Sequence, residues 1–211
     1  MNDACEVTQT ILWKPSTNEF VAAQLWDAIT EAQVSDWEKL WKAGAQELRD
    51  QVRELDLDPN SKVETSFWNW DEKVEAIEGL LSSASFSVVA EGATQGMMIL
   101  DYLQSCQLPE QEGKPLVYVS YIEVAPWNQK PIASIVPRFA GVGSLLIRAA
   151  IEASRANEFS GRVGLHSLRR SENWYRGRCG MNDLGPPKQC LRYFEMTPEQ
   201  ADAFTAIGRN T

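Results

Sequence analysis

Apolar and β-forming residues crowd Val7 to Trp13, which predicts a strand. Ser16-Thr17-Asn18-Glu19 follows with the serine and glutamate spacing of a capping box, in which each side chain satisfies an amide left open in a first helical turn. A helix from about Thr17 to Ala32 is therefore expected. Ser35-Asp36-Trp37-Glu38 repeats the signature, and Trp37, Leu40, Trp41, Leu48, Val52 and Leu55 recur at helical spacing, which predicts a long amphipathic helix to about Leu55. Asp58-Pro59-Asn60-Ser61 should end it. Asp71 is placed to cap a third helix with Val74, Ile77, Leu80 and Leu81 on its apolar face.

From Phe86 the period changes to that of strands. Phe86 to Ala90 and Met97 to Leu103, joined through Gly92 and Gly96, read as an antiparallel hairpin. Leu116 to Val124 is apolar at most positions on both faces, as a central strand covered on two sides should be. A proline-containing loop, Pro126 to Pro137, leads to a helix from about Gly143 to Ala156 and a strand from Arg162 to Leu168. A short helix near Glu172 to Cys179, a turn at Gly185-Pro186-Pro187, a strand from Cys190 to Met196 and a terminal helix opened by Thr197 and Pro198 complete the chain. No repeat, low-complexity tract or linker composition divides the 211 residues, so one domain over 1–211 is expected.

Charge and composition narrow the class. Twenty Lys and Arg against 29 Asp and Glu give a formal net charge of -9, the wrong sign for holding a phosphate backbone, so no nucleic-acid partner is expected. Neither a signal-like N-terminus nor about 18 consecutive apolar residues occurs, which points to a cytoplasmic protein without a membrane partner. Cys5, Cys106, Cys179 and Cys190 lack CxxC spacing and His166 is the lone histidine, so no metal site and four reduced thiols are expected.

The segment Arg138-Phe139-Ala140-Gly141-Val142-Gly143-Ser144 lies after the best strand and opens a helix. Two glycines one residue apart let the chain turn with its amides exposed, and a helix N-terminus adds partial positive charge, so the element suits a phosphate or pyrophosphate. A P-loop would need Lys after the second glycine, where Ser144 stands. A dinucleotide fold would need a third glycine where Leu146 stands and no intervening Pro126 to Pro137. A plain helix-entry turn is the bland alternative.

Arg138-x-x-Gly141-x-Gly143, after a strand ending Val124-Ala125-Pro126, resembles the acyl-CoA loop of the GNAT superfamily of N-acyltransferases. The later succession is similar as well: Gly164 to Leu168, the pair Trp174-Tyr175, Gly180-Met181, and Leu191 to Phe194. The resemblance covers the chain and implies an α+β, mixed α/β, fold with a central, mostly antiparallel sheet flanked by helices. It implies acetyl-CoA as co-substrate, its pyrophosphate on the amides of Phe139 to Ser144, with Arg138 in the same motif, and the amide of Val124 facing the thioester carbonyl. It also places the general acid at Tyr175, although the five residues from Tyr175 to Gly180 exceed the usual four.

Acetyl transfer to an amine needs a base, because an alkylammonium titrates near 10.4 by analogy with lysine. Glu123, a carboxylate in a mostly apolar strand just before Val124, is the first candidate. His166 is the second, since its unperturbed pKa suits proton transfer. Trp68, Trp70, Trp127 and Trp174 are candidates for an acceptor pocket, whereas Trp37 and Trp41 read as core on their helical stripe. The expected function is acetyl transfer to a primary amine by direct attack in a ternary complex. The acceptor is expected to be a small molecule rather than a protein terminus, with a homodimer left open. The competing reading is a non-catalytic acyl-CoA-binding module.

Overall fold

The computed structural model describes residues 5–54, 65, 67–129, 135–185 and 191–206. The expected stop at Asp58 to Ser61, the turn at Pro186-Pro187 and Cys190 lie outside them. By proximity the chain forms two compact units: Met1–Leu80, Ser85–Met97 and Ile122–Gly143 make the first, and Leu81–Ala84, Met98–Tyr121 and Ser144–Thr211 the second.

In the first unit, β1 (Val7–Lys14) pairs antiparallel with β2 (Glu19–Trp26), Val7 opposite Trp26 and Lys14 opposite Glu19. The helix expected over 17–32 is therefore a hairpin. Its turn has Asn18 at φ 56, and the amides of Thr17 and Asn18 both donate to the Lys14 carbonyl. A capping box offers two local hydrogen bonds, whereas eight residue pairs along β1 and β2 favour the strand.

Helix α1 (Glu31–Asp36) starts before the second capping signature. Thr30 caps it: Ala32 N–H donates to Thr30 Oγ1 at 3.3 Å, and Thr30 N–H donates to Gln33 Oε1 at 2.8 Å. Asp36, expected at the start of a helix, instead accepts from Thr94 N–H and Oγ1, both at 2.8 Å. A π-helical turn, Trp37–Trp41, joins α1 to α2 (Lys42–Glu54), with Lys42 N–H donating to the Trp37 carbonyl. Helix α3 (Trp70–Glu75) is capped by Asn69 rather than Asp71.

Strands β3 (Ser83–Ala90) and β4 (Ala93–Ser105) turn through Glu91 and Gly92, both at positive φ, and β5 is Pro115–Val124. These three strands contribute residues to both units. The second unit continues with α4 (Val142–Ala156), β6 (Val163–Ser167), α5 (Glu172–Gly177), β7 (Asn182–Asp183), β8 (Arg192–Met196) and α6 (Pro198–Ala206). The strands bond in the order β1-β2-β3-β4-β5-β6-β8-β7. Most of the sheet is antiparallel, but β5 and β6 are parallel, and their ladder is short. It joins Val117–Val119 to Val163–Leu165, while β5 runs on to Val124.

The core of the second unit includes Leu100, Leu116, Ile147, Leu165 and Phe194, all fully buried. One carboxylate lies among them. Glu195 is held by the amides of Gln107 and Leu108, the Gln111 side-chain amide and the Tyr193 hydroxyl, which together replace the water it has lost. The Tyr193 side chain reaches diagonally over Gly164 and needs a glycine there, because a Cβ at that position would stand 2.5 Å from its hydroxyl.

Candidate active site

The loop before α4 is held by residues from three separate stretches of the first unit, around Trp13, Gln95 and Asn128. Gln95, fully buried on β4, is the hub. Its Oε1 accepts from Trp127 Nε1 at 2.8 Å and Asn128 Nδ2 at 2.9 Å, while its Nε2 donates to the carbonyls of Ala90 and Ala93. Its backbone carbonyl takes the Ala125 amide. Asn128, so fixed, accepts the Phe139 amide on Oδ1 at 2.9 Å, and the Ala140 amide donates to the Trp13 carbonyl at 2.8 Å.

Those bonds correct the amide set expected over Phe139 to Ser144. The amides of Phe139 and Ala140 are spent inside the protein, which leaves those of Gly141, Val142, Gly143 and Ser144 from the expected set. Gly141 has φ +93, a conformation that costs L-residues, and it swings the chain into α4. The first-turn amides of that helix have no intrahelical acceptor. Arg138 lies beside this loop with its guanidinium on Glu91 at 2.7 Å, and Lys14 also pairs with Glu91. The Lys14 and then the Arg138 contact hold the Glu91 carboxyl below its ordinary range.

Glu123 and Val124 end β5. The Glu123 carboxylate accepts from the Thr65 hydroxyl on one oxygen and from Trp70 Nε1 at 2.6 Å on the other. Burial pushes its pKa up, against the lowering effect of those bonds and of Lys73. Among the described residues these hydroxyl and indole donors occupy one lone pair on each carboxylate oxygen. The Val124 carbonyl accepts from Gln129 Nε2 at 3.2 Å.

Glu123 lines a cavity of about 320 Å³ together with Trp37, Trp41, Phe67, Trp68, Lys42 and Arg49. Of the tryptophans expected at a pocket, Trp68 lines it, Trp70 holds Glu123, and Trp127 belongs to the loop's support. Trp37 and Trp41 line it too; Trp41 is buried, as expected of a core residue, and anchored by its indole N–H on the Thr94 carbonyl at 3.0 Å, while Trp37 is half-buried. The π turn carries both.

His166 and Tyr175 belong to the second unit. His166 Nδ1 lies 2.7 Å from the Tyr118 hydroxyl, and burial lowers its pKa, so the neutral ring dominates at pH 7. Tyr175, 5% exposed, packs against Trp174 and Phe194, and burial raises its pKa well above the ordinary tyrosine value. Cys5, Cys106 and Cys179 are unbridged. Among the described residues no three His, Cys, Asp or Glu side chains come together as a metal set, and no helix is long and apolar enough to cross a membrane.

The sequence pattern does not point to Gln95, Asn128 or Thr65. Gln95 lies in the polar, turn-like stretch Glu91 to Gly96 ahead of Met97 to Leu100 and carried no signal of its own. Asn128 and Thr65 carried none.

No known protein family is matched by the chain's sequence, and no curated protein matches it. Among solved structures, the GNAT domain of PAT from S. lividans aligns with a TM-score of 0.52 at 14% identity, over 90% of this chain and 96% of that one. PaiA N-acetyltransferase from Thermoplasma acidophilum, in complex with coenzyme A, aligns with a TM-score of 0.47 at 9% identity, over 83% and 98% of the two chains. Mycobacterium smegmatis RimJ, in complex with CoA-disulfide, aligns at 0.46 and 13% identity, over 97% and 95%.

Proposed function

Because the chain has the GNAT fold, we propose that it is an N-acetyltransferase that moves an acetyl group from acetyl-CoA to a primary amine by direct attack in a ternary complex. The observation that carries this reading is the loop before α4. Its first two amides are tied down by Asn128 and Trp13, and Gly141, at φ +93, leads into the N-terminus of α4, whose first-turn amides have no intrahelical acceptor. Such a cradle suits the pyrophosphate of coenzyme A.

In this reading Glu123 takes the proton of the ammonium. Its raised pKa brings it closer to the operating pH, where a base is most effective. The neutral nitrogen attacks the thioester carbon and the Val124 amide receives the oxyanion; as the oxyanion collapses the C–S bond breaks, and the surplus proton on the nitrogen passes to the departing thiolate, which leaves as the free thiol. Tyr175 is assigned to the departing thiolate. A thiol titrates near 8.5 by analogy with cysteine, so full proton transfer from a tyrosine with a raised pKa is uphill, and Tyr175 serves as a hydrogen-bond donor to the sulfur. His166, neutral at pH 7, is the reserve proton carrier.

Two measurements test the proposal. Coenzyme A at a hundred times its dissociation constant stabilises a protein by about 2.7 kcal/mol, so the melting temperature should rise, and Gly143→Asp should abolish the rise by setting a carboxylate against the pyrophosphate. Release of free thiol from acetyl-CoA with a panel of amines then separates an enzyme from an acyl-CoA-binding module. A thermal shift without thiol release leaves the module; a shift unchanged in Gly143→Asp removes the loop from the site.

A further inference from the structure

The cavity beside Glu123 has a charge pattern that selects its ligand. Lys42, Ala45 and Arg49 line it at i, i+3 and i+7, so one face of α2 forms a wall. The π turn adds Trp37 and Trp41 to that wall, and Phe67 and Trp68 contribute further aromatic surface. Among the described residues three lining side chains carry charge. Glu123 is negative and sits on β5, while the two cations sit on α2 and pair elsewhere. Lys42 Nζ lies 3.4 Å from Glu38 and 4.6 Å from the centre of the Trp37 ring, and Arg49 donates to the neutral Gln46 Oε1 at 2.8 Å. The Lys42–Glu38 pair is exposed, and such pairs are weak enough to yield to a better anion.

A ligand complementary to this lining needs a positive or proton-donating end at Glu123, a flat apolar body against the indoles, and an anionic end at Lys42 and Arg49. At about 320 Å³ the space is at the small end of ligand sites, which fits a compact molecule rather than a chain terminus with its flanking residues. A polyamine would bring its second ammonium against two like charges. We propose that the cavity takes a small primary amine whose flat, apolar body carries a carboxylate or phosphate at the end remote from the amine. The inference rests on the acetyl-transfer reading for what happens to the amine, and on the cavity alone for the fit.

The test separates those two parts. Intrinsic tryptophan fluorescence of the full chain, titrated without acetyl-CoA, reads the cavity through Trp37, Trp41 and Trp68. The probes are 4-(aminomethyl)benzoate, benzylamine and spermidine. The carboxylate probe should bind at least about fivefold more tightly than benzylamine, and that preference should collapse towards one in Arg49→Gln and in Lys42→Gln. Benzylamine or spermidine binding as tightly as the carboxylate probe, a preference that survives both substitutions, or no saturable change with any probe would each overturn the inference. Thiol release from acetyl-CoA with the same probes reads the chemistry. Selective binding without thiol release defeats the acetyl-transfer reading and leaves the ligand class standing, whereas release with spermidine but not with 4-(aminomethyl)benzoate does the reverse.

Discussion

At Glu123 burial and hydrogen bonding pull the carboxyl in opposite directions, and burial wins, so the group titrates above its ordinary value of 4.5. As a base it works only when ionised, and the acid limb of kcat/KM should therefore lie above the usual carboxylate range. Glu123→Gln should lower kcat by at least about tenfold, since general bases contribute about 10² to 10⁴, and should flatten that limb; steady-state rates across pH check both. The same shift has a stability consequence of fixed sign. A folded-state pKa raised above the unfolded one contributes stability that is present below pH 4.5 and lost as pH rises through the folded value. The fall in melting temperature on passing upward through that window should be shallower in Glu123→Gln. Tyr175→Phe tests the other end of the reaction: kcat should fall by at least about tenfold with acetyl-CoA binding nearly unchanged, because only the transition state uses the hydroxyl. Wild-type turnover in that variant would remove Tyr175 from the mechanism.

Among the elements, α2 meets the support of the loop at a glycine. A Cβ on Gly44 would stand 3.0 Å from Trp127 Cε3, and Trp127 is fixed by its bond to Gln95. Gly44→Leu should therefore destabilise by about 1 to 3 kcal/mol, the usual cost of overpacking, despite the better helix propensity of leucine; a denaturant midpoint measures it. The elements also show what a sequence can carry. Strands β3, β4, β5, β6 and β8 and helices α4, α5 and α6 were legible, because their periods and turn residues agree with their packing. So was β1, expected over Val7 to Trp13, but its partner β2 was not. Ser16 and Glu19 have the right spacing for a cap, and nothing local reveals that β1 is the better partner for Phe20 to Trp26. The π turn was equally hidden, since Trp37 and Trp41 are four apart and sit on one stripe of a regular helix as well. At the site, Glu123 stood out as a charge in an apolar strand and the glycines of the loop as a turn at a helix start. The spending of the Phe139 and Ala140 amides depends on Asn128 and Trp13, partners set by tertiary structure alone.

For the molecule as a whole, the net charge of -9 opposes the approach of coenzyme A, itself an anion at neutral pH. Salt shortens the reach of that repulsion, from about 30 Å at 0.01 M to about 10 Å at 0.1 M. Association of coenzyme A, followed by stopped-flow fluorescence, should accordingly speed up between those concentrations; slowing would mean that Lys14 and Arg138 beside the loop outweigh the rest of the surface. The way the loop is held also has a consequence in time. Its geometry draws on Trp13, on Gln95 and on Trp127 and Asn128, positions more than a hundred residues apart at the extremes, and contacts of such separation form late because distant segments must first be brought together. A chain refolding from urea can regain its helices while β1 is still unpaired, and such an intermediate lacks the acceptor for Ala140. It would be blind to coenzyme A, so ligand recognition would arrive as one of the last events of folding and would serve as a clock for its completion.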